Sequence, residues 1–272
     1  MLACFHLIIT DIAMPQYPYI SAYIRKNARL LCLVRIIRFI GRLGPWRNFL
    51  MACIKKYAPN QSLPINENTL FPGLNVNHTA DNITRLGYSL GTSLPEKQVN
   101  QILDYCRDKR LKSYENPHKD CELVNNIVHD HKIIEVARRY LQVEPILYKT
   151  RIYWSFPEHN HRPLMLSPKE FHYDVGDFKS LALFIYLTDV DADCGPHVLI
   201  ERTHHKTFAQ LLSPCLSYKT AIKKYGEQIR VITGGKGTNF FEDMTCYHQH
   251  SYGVKPRLVL TASYAFHRKP DG

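Results

Sequence analysis

Apolar residues along the chain change their period once. Up to about residue 142 they recur three and four apart, and from about 146 they alternate or run together in short blocks. Leu30, Leu33, Val34, Ile37 and Ile40 fall at near-helical spacing, with Arg35, Arg38 and Arg42 on a common face, and Gly41, Gly44 and Pro45 break the pattern. Residues 57–80 are rich in Pro, Asn and Gly and read as a linker or irregular entry. A helix is predicted to open at Ser93-Leu94-Pro95-Glu96, where serine can cap and proline suits an early position. Val99, Ile102, Leu103 and Cys106 form its apolar stripe. A second helix is predicted over about 121–141, with Arg138 and Arg139 complementing the dipole at its C-terminal end. Strands follow at 146–154, 171–174, 181–188, 198–200, 230–233, 238–241 and 257–266, separated by Gly, Pro, Asp or His segments. Helices first and short strands afterwards predict an α+β chain, a barrel or sandwich carrying an N-terminal helical layer.

Charge divides the chain at about the same place as the linker. The 272 residues carry a net charge of +11, yet residues 1–60 hold nine Lys/Arg against the single acid Asp11. The remainder has 26 basic and 23 acidic side chains, so it is nearly neutral and lacks a nucleic-acid footprint. The expected organisation is a basic amphipathic extension, 1–60, and one domain, 61–272, with a helical layer at about 80–142 and a barrel at about 146–268. The stretch 25–56 reads either as a contact for a membrane surface or acidic partner, or as a helix packed on the domain with its arginines in water. Eight cysteines form no C-x-x-C pair, which points to free thiols in a reducing cytosol. No apolar run approaches the ~18–20 residues that span a bilayer. The opening residues make a poor signal peptide. A cytoplasmic protein is expected.

The candidate chemistry lies in His172-Tyr173-Asp174. Side chains two apart on a strand share a face, with Cα atoms roughly 6.5–7 Å apart, a spacing that suits convergence on one ion. His248 completes a 2-His-1-carboxylate set, which holds one face of an iron(II) octahedron and leaves positions for O₂ and a co-substrate. Arg257 supplies a cation for a carboxylate of that co-substrate. His250 is a rival third ligand, because residues 248 and 250 face the same way on a strand. The spacing from Asp243 and the longer gap to Arg257 favour His248. Tyr153 and Arg151 share a strand face that can border the pocket. His197 and His204 read as structural side chains bonding loop backbone, His129 and His131 do not share a helical face, and His159 and His161 sit in a loop at 155–170.

Several segments, in order, carry a resemblance. They are Phe171-His172-Tyr173-Asp174, Asp177-Phe178-Lys179, Ile185-Tyr186-Leu187-Thr188-Asp189-Val190, Gly195-Pro196-His197, Arg202-Thr203-His204, Phe241-Glu242-Asp243, Tyr247-His248 and Arg257-Leu258-Val259-Leu260. Over about 80–268 the chain resembles the phytanoyl-CoA dioxygenase family of Fe(II)/2-oxoglutarate oxygenases. It departs from the family in having Arg202-Thr203-His204 for the usual Gly-Ser-His, and Gln249-His250 after the distal histidine. The resemblance implies a double-stranded β-helix, a jelly-roll or cupin-like barrel. It implies Fe(II) on His172, Asp174 and His248, 2-oxoglutarate on Arg257, and O₂ as the other co-substrate. It implies a dioxygenase that hydroxylates a small metabolite, acyl thioester or natural-product scaffold. Related halogenases lack the carboxylate that stands here as Asp174, which favours hydroxylation. A non-catalytic barrel that binds a metal or ligand, and an interaction protein acting at membranes through 25–56, are the competing readings.

Overall fold

The computed structural model describes residues 43, 46, 47, 49, 52, 64–66, 68–109, 113–156, 170–174, 179–251 and 253–265. Most of the basic stretch 25–56 and of the 155–170 loop lies outside the described residues, as do His159, His161, Asp177 and Phe178. Among the described residues no helix is long and apolar enough to cross a membrane.

Helices come first. They are α1 (Val76–Leu86), α2 (Glu96–Lys109), α3 (Glu122–Val128) and α4 (His131–Leu141), with the short strands β1 (Tyr88–Leu90) and β2 (Ser113–Glu115) between them. Then follow β3 (Ile146–Ser155), β4 (Phe171–His172), β5 (Ser180–Tyr186), β6 (His197–Ile200), α5 (Phe208–Leu212), β7 (Cys215–Leu216), α6 (Tyr218–Tyr225), β8 (Ile229–Ile232), β9 (Asn239–Asp243), β10 (Tyr247–His250) and β11 (Arg257–Ala265). Two of these elements differ from expectation. Residues 76–86, within and beyond the expected linker, form α1, whose Asn75 side chain accepts the His78 N–H as N-cap. The single helix expected over 121–141 breaks at His129–Asp130, because the Asp130 carboxylate caps α4 at the Lys132 N–H and also accepts from Leu70 N at 2.6 Å and Thr69 Oγ1 at 3.1 Å.

The strands form two antiparallel sheets, ordered β1-β9-β5-β11-β3-β2 and β7-β4-β10-β6-β8. Side-chain parity sorts their residues into three cores. On β5, Leu181, Leu183 and Ile185 pack with the α1–α4 residues Ile83, Val99, Ile127 and Val136. The alternate residues Ala182, Phe184 and Tyr186 pack with Leu199, Ile232, Phe240 and Val259 in the barrel interior. That double burial is why β5 reads as a continuous apolar run. Outside the smaller sheet, Phe171, Tyr173, Val198, Ile200 and Tyr247 pack against Leu216 and Ala221 of β7 and α6. The same parity turns His172, His197, His248, Glu242 and Arg257 to the interior.

Two further contacts fix the site end. Gly87 closes α1 at φ +88, and a Cβ there would run into Cys246 Sγ and His204 Nδ1, so glycine serves both the backbone and the close approach. Arg47, from the segment set apart by charge, is buried. It donates to Asp243 Oδ2 at 2.7 Å and to the His204 carbonyl at 2.8 Å.

Candidate metal centre

β4 is only two residues long, yet it carries the site because it lies beside β10. His172 pairs in register with His248, and their ring centroids are 4.7 Å apart. Asp174 sits just past the end of β4, where its N–H donates to the Met244 carbonyl at 2.9 Å. One ligand atom from each of His172, Asp174 and His248 lies within 4.8 Å of the others. His248 is buried, His172 half-buried and Asp174 exposed, so the cluster opens at the mouth of the barrel. His250 follows on β10, its backbone paired with His197, and its side chain lies outside the described residues.

Both imidazoles are set for ligation. His172 Nδ1 is 3.4 Å from the Glu170 carbonyl, and His248 Nδ1 is 3.1 Å from the Cys246 carbonyl. A carbonyl only accepts, so each contact calls for an Nδ1–H, and in the neutral ring that leaves the Nε2 lone pair for a metal. Two imidazoles and a carboxylate make a mixed N/O donor set of the kind that iron(II) takes, so the donor chemistry fits the metal.

Behind the cluster lies a buried polar pair. His197 Nε2 and Glu242 Oε2 are 2.6 Å apart, and Glu242 Oε1 is 3.6 Å from His248 Nδ1 with no hydrogen-bond partner. Burial pushes the Glu242 carboxyl up to about 8, against a downward pull from His248. Burial drives His197 down to about 3, with Arg257 and His172 adding to the effect. Burial also lowers His248, with Glu242 opposing. Phe184 and Phe240 pack on the His197 ring at 4.9 and 5.2 Å. The His197 side chain thus bonds Glu242 inside the barrel, where a bond to loop backbone was expected. The sequence assigned no role to Glu242, although Phe241-Glu242-Asp243 is one of the segments that carry the resemblance.

Arg257 opens β11, opposite Ser155, and is 1% exposed. Its charge acts on the Tyr186 hydroxyl, which accepts the His197 N–H at 3.1 Å and donates to the Ile232 carbonyl at 2.8 Å. Burial raises Tyr186 to about 12 while Arg257 pulls it down, and Tyr153 is balanced in the same way. The buried guanidinium thus exerts its field on Tyr153, Tyr186 and His197. Arg151 points to the sheet edge, held by Glu115 at 2.7 Å and Ser113 at 2.9 Å. His204 accepts no site role, since its Nε2 meets the Thr84 carbonyl at 3.0 Å.

No family model matches the chain, and no curated protein matches it. Solved structures do. EctD from S. alaskensis with bound Fe is 16% identical, with 76% of this chain and 82% of that one covered at TM-score 0.54. EvdO2 from Micromonospora carbonacea var. aurantiaca, complexed with 2-oxoglutarate, is 10% identical over 75% and 93% at TM-score 0.54. The epimerase SnoN, in complex with Fe3+, alpha ketoglutarate and nogalamycin RO, is 15% identical over 70% and 83% at TM-score 0.51. At these identities the likeness is one of fold. The chain is an α+β protein built on a double-stranded β-helix, the jelly-roll barrel these structures share.

Proposed function

We propose that this protein is a non-haem Fe(II)- and 2-oxoglutarate-dependent dioxygenase of the phytanoyl-CoA dioxygenase type, hydroxylating an unactivated C–H bond of a small molecule. The observation that carries the reading is the convergence of His172, Asp174 and His248 within 4.8 Å, with the Nδ1 of each histidine turned to a backbone carbonyl. Iron or 2-oxoglutarate bound to proteins of the same fold supports it.

Under this reading the three side chains hold the metal and leave its other positions to co-substrates. Bound there, iron with 2-oxoglutarate and O₂ supplies the oxidising chemistry, in which decarboxylation to succinate and CO₂ is coupled to oxygen insertion. Arg257 binds the distal carboxylate of 2-oxoglutarate through its planar fork, oriented by Tyr186. Phe184, Leu199, Phe240 and Val259 line the interior and keep water from the reacting atoms. Asp174 fills the position a halide would need, so the outcome is hydroxylation. The open side of the site, at His172 and Asp174, admits the primary substrate.

The domain runs from about residue 61, and the basic extension before it is tied in through Arg47. The described cysteines Cys106, Cys121, Cys194, Cys215 and Cys246 are free thiols, in keeping with a cytoplasmic location. The test is iron-dependent release of succinate from 2-oxoglutarate by purified protein across a metabolite library. No release with any substrate, or release that needs no iron, refutes the proposal. Chlorinated product in chloride buffer refutes its hydroxylase part.

A further inference from the structure

We propose that Glu242 is a positioning residue for the metal centre. Its carboxylate stands behind His248, and His197 holds it there, so that the chain His197–Glu242–His248 fixes the third ligand and strengthens it as a donor. The inference rests on the reading of His172, Asp174 and His248 as ligands.

Glu242 is a fully buried acid in the middle of a strand, on the same face as Phe240. The fold does not need an acid there, because an apolar side chain would continue the interior core. Nor does Glu242 belong to the neighbouring ionic cluster. Asp243 points to the other face and takes Arg47, Tyr140 and Thr245 for itself. One oxygen of Glu242 is fixed by His197 at 2.6 Å. The other has no hydrogen-bond partner, and it faces His248 Nδ1 at 3.6 Å. His248 is itself flanked by rings, His172 at 4.7 Å and His197 at 5.7 Å between centroids, so the imidazole has little freedom to turn away.

A ligating histidine is a stronger donor when its remote N–H faces an anion, and its ring angle is set at the same time. The Cys246 carbonyl already selects the tautomer of His248. Burial keeps the Glu242 carboxyl high, and a divalent cation on His248 draws its proton off, so Glu242 adds its charge when the site is filled. This division of labour separates the two effects experimentally, because Glu242→Gln keeps the shape and the contact with His197 and removes only the charge.

The experiment is a titration of the metal-free protein with Co(II), read from its visible absorption bands, alongside thermal unfolding of the same metal-free protein. Outer partners of ligating histidines are typically worth about 10–100-fold in affinity. Glu242→Gln is expected to weaken Co(II) by that factor and to shift the bands, with an unfolding temperature no lower than the parent's. Glu242→Asp keeps the charge one methylene further back and recovers part of the affinity. His197→Leu, which releases the far oxygen, weakens Co(II) in the same direction and serves as the second variant if Glu242→Gln does not fold. Parent-like affinity in both Glu242→Gln and His197→Leu, while His172→Ala binds no Co(II), overturns the role of Glu242 and leaves the ligand set standing. A loss in Glu242→Gln as complete as in His172→Ala overturns it in favour of direct ligation. Parent-like binding in His172→Ala refutes the ligand set itself, and this inference with it.

Discussion

His172 and His248 face one another in register across β4 and β10, two strands far apart in the chain that meet through a single pair of residues. Strand pairing thus sets the distance between them, and the ring centroids are 4.7 Å apart. Asp174 joins from the chain that leaves β4, anchored by its own N–H to Met244. The site is assembled by backbone hydrogen bonds before any ion arrives, which makes its side chains dispensable to the fold.

The first expectation follows from that. Alanine at His172, Asp174 or His248 should abolish iron-dependent turnover and metal binding, and the melting temperature of metal-free Asp174→Ala should stay close to the parent's, because Asp174 is exposed. His250→Ala should retain activity. Activity kept in His248→Ala and lost in His250→Ala would show that the third ligand has been misassigned.

Arg47 and Asp243 give a second expectation. Both are buried, and their ion pair is 2.7 Å long. Burial pushes the Asp243 carboxyl up, but Arg47, with His204 and the Tyr140 hydroxyl, holds it well below the usual carboxylate range. An acid with a lowered folded pKa contributes stability above its unfolded value near 4, and that stability is lost as pH falls towards the folded value. Arg47→Met strands the carboxylate, which should cost about 3–5 kcal/mol at pH 7. The deficit should shrink as pH falls to 3, because the stranded Asp243 of the variant takes a proton there while the parent's carboxylate, held low by Arg47, keeps its charge. Urea unfolding at pH 7 and pH 3 measures it, and an equal deficit at both pH values would refute the electrostatic account.

Lys206 titrates in the opposite region. Its Nζ is buried without a hydrogen-bond partner, between the rings of Tyr173 and Tyr247 at 3.9 and 3.8 Å. Burial lowers its pKa to about 7. The unfolded chain then holds the extra proton from pH 7 up to about 10.4, so the parent gains stability as pH rises through that window. Lys206→Met fills the same slot without a charge. It should be the more stable of the two at pH 6, with the gap closing by pH 10. Parallel stability curves across this range would show that Lys206 stays charged.

How far the sequence revealed this structure depended on where each residue's partners lie. β5 was legible because both of its faces are buried, so its composition alone marks it. α1 was not, because it buries only Thr79, Ala80 and Ile83 and its polar text resembles a linker. The break between α3 and α4 depends on Asp130 capping one helix while binding Leu70 and Thr69, partners some sixty residues earlier. The structure brings together the residues that spacing had singled out as ligands, since an H-x-D is a local pattern. The pairing of Glu242 with His197 was not legible, because it requires β9 and β6 to face each other across the barrel, which no local pattern encodes.

Arg257 carries the last expectation. It is 1% exposed and starts β11 on the interior face, with Tyr186, Tyr153 and His197 within its field. A guanidinium so placed can be bidentate towards a carboxylate, whereas Arg151, the alternative anchor, is held at the sheet edge by Glu115. Removing one member of a buried charge pair costs about 3–5 kcal/mol. At about 1.4 kcal/mol per tenfold, Arg257→Ala should weaken 2-oxoglutarate by roughly a hundredfold or more. Arg257→Lys should recover only part of this, keeping the charge and losing the fork. Iron binding should survive both changes, since Arg257 is not a ligand in this scheme. Anaerobic titration of the Fe(II) protein with 2-oxoglutarate, followed by the charge-transfer absorbance, measures the loss. An unchanged affinity in Arg257→Ala would move the anchor elsewhere and would weaken the placement of His248 at the metal, since both rest on the same match of β10 and β11.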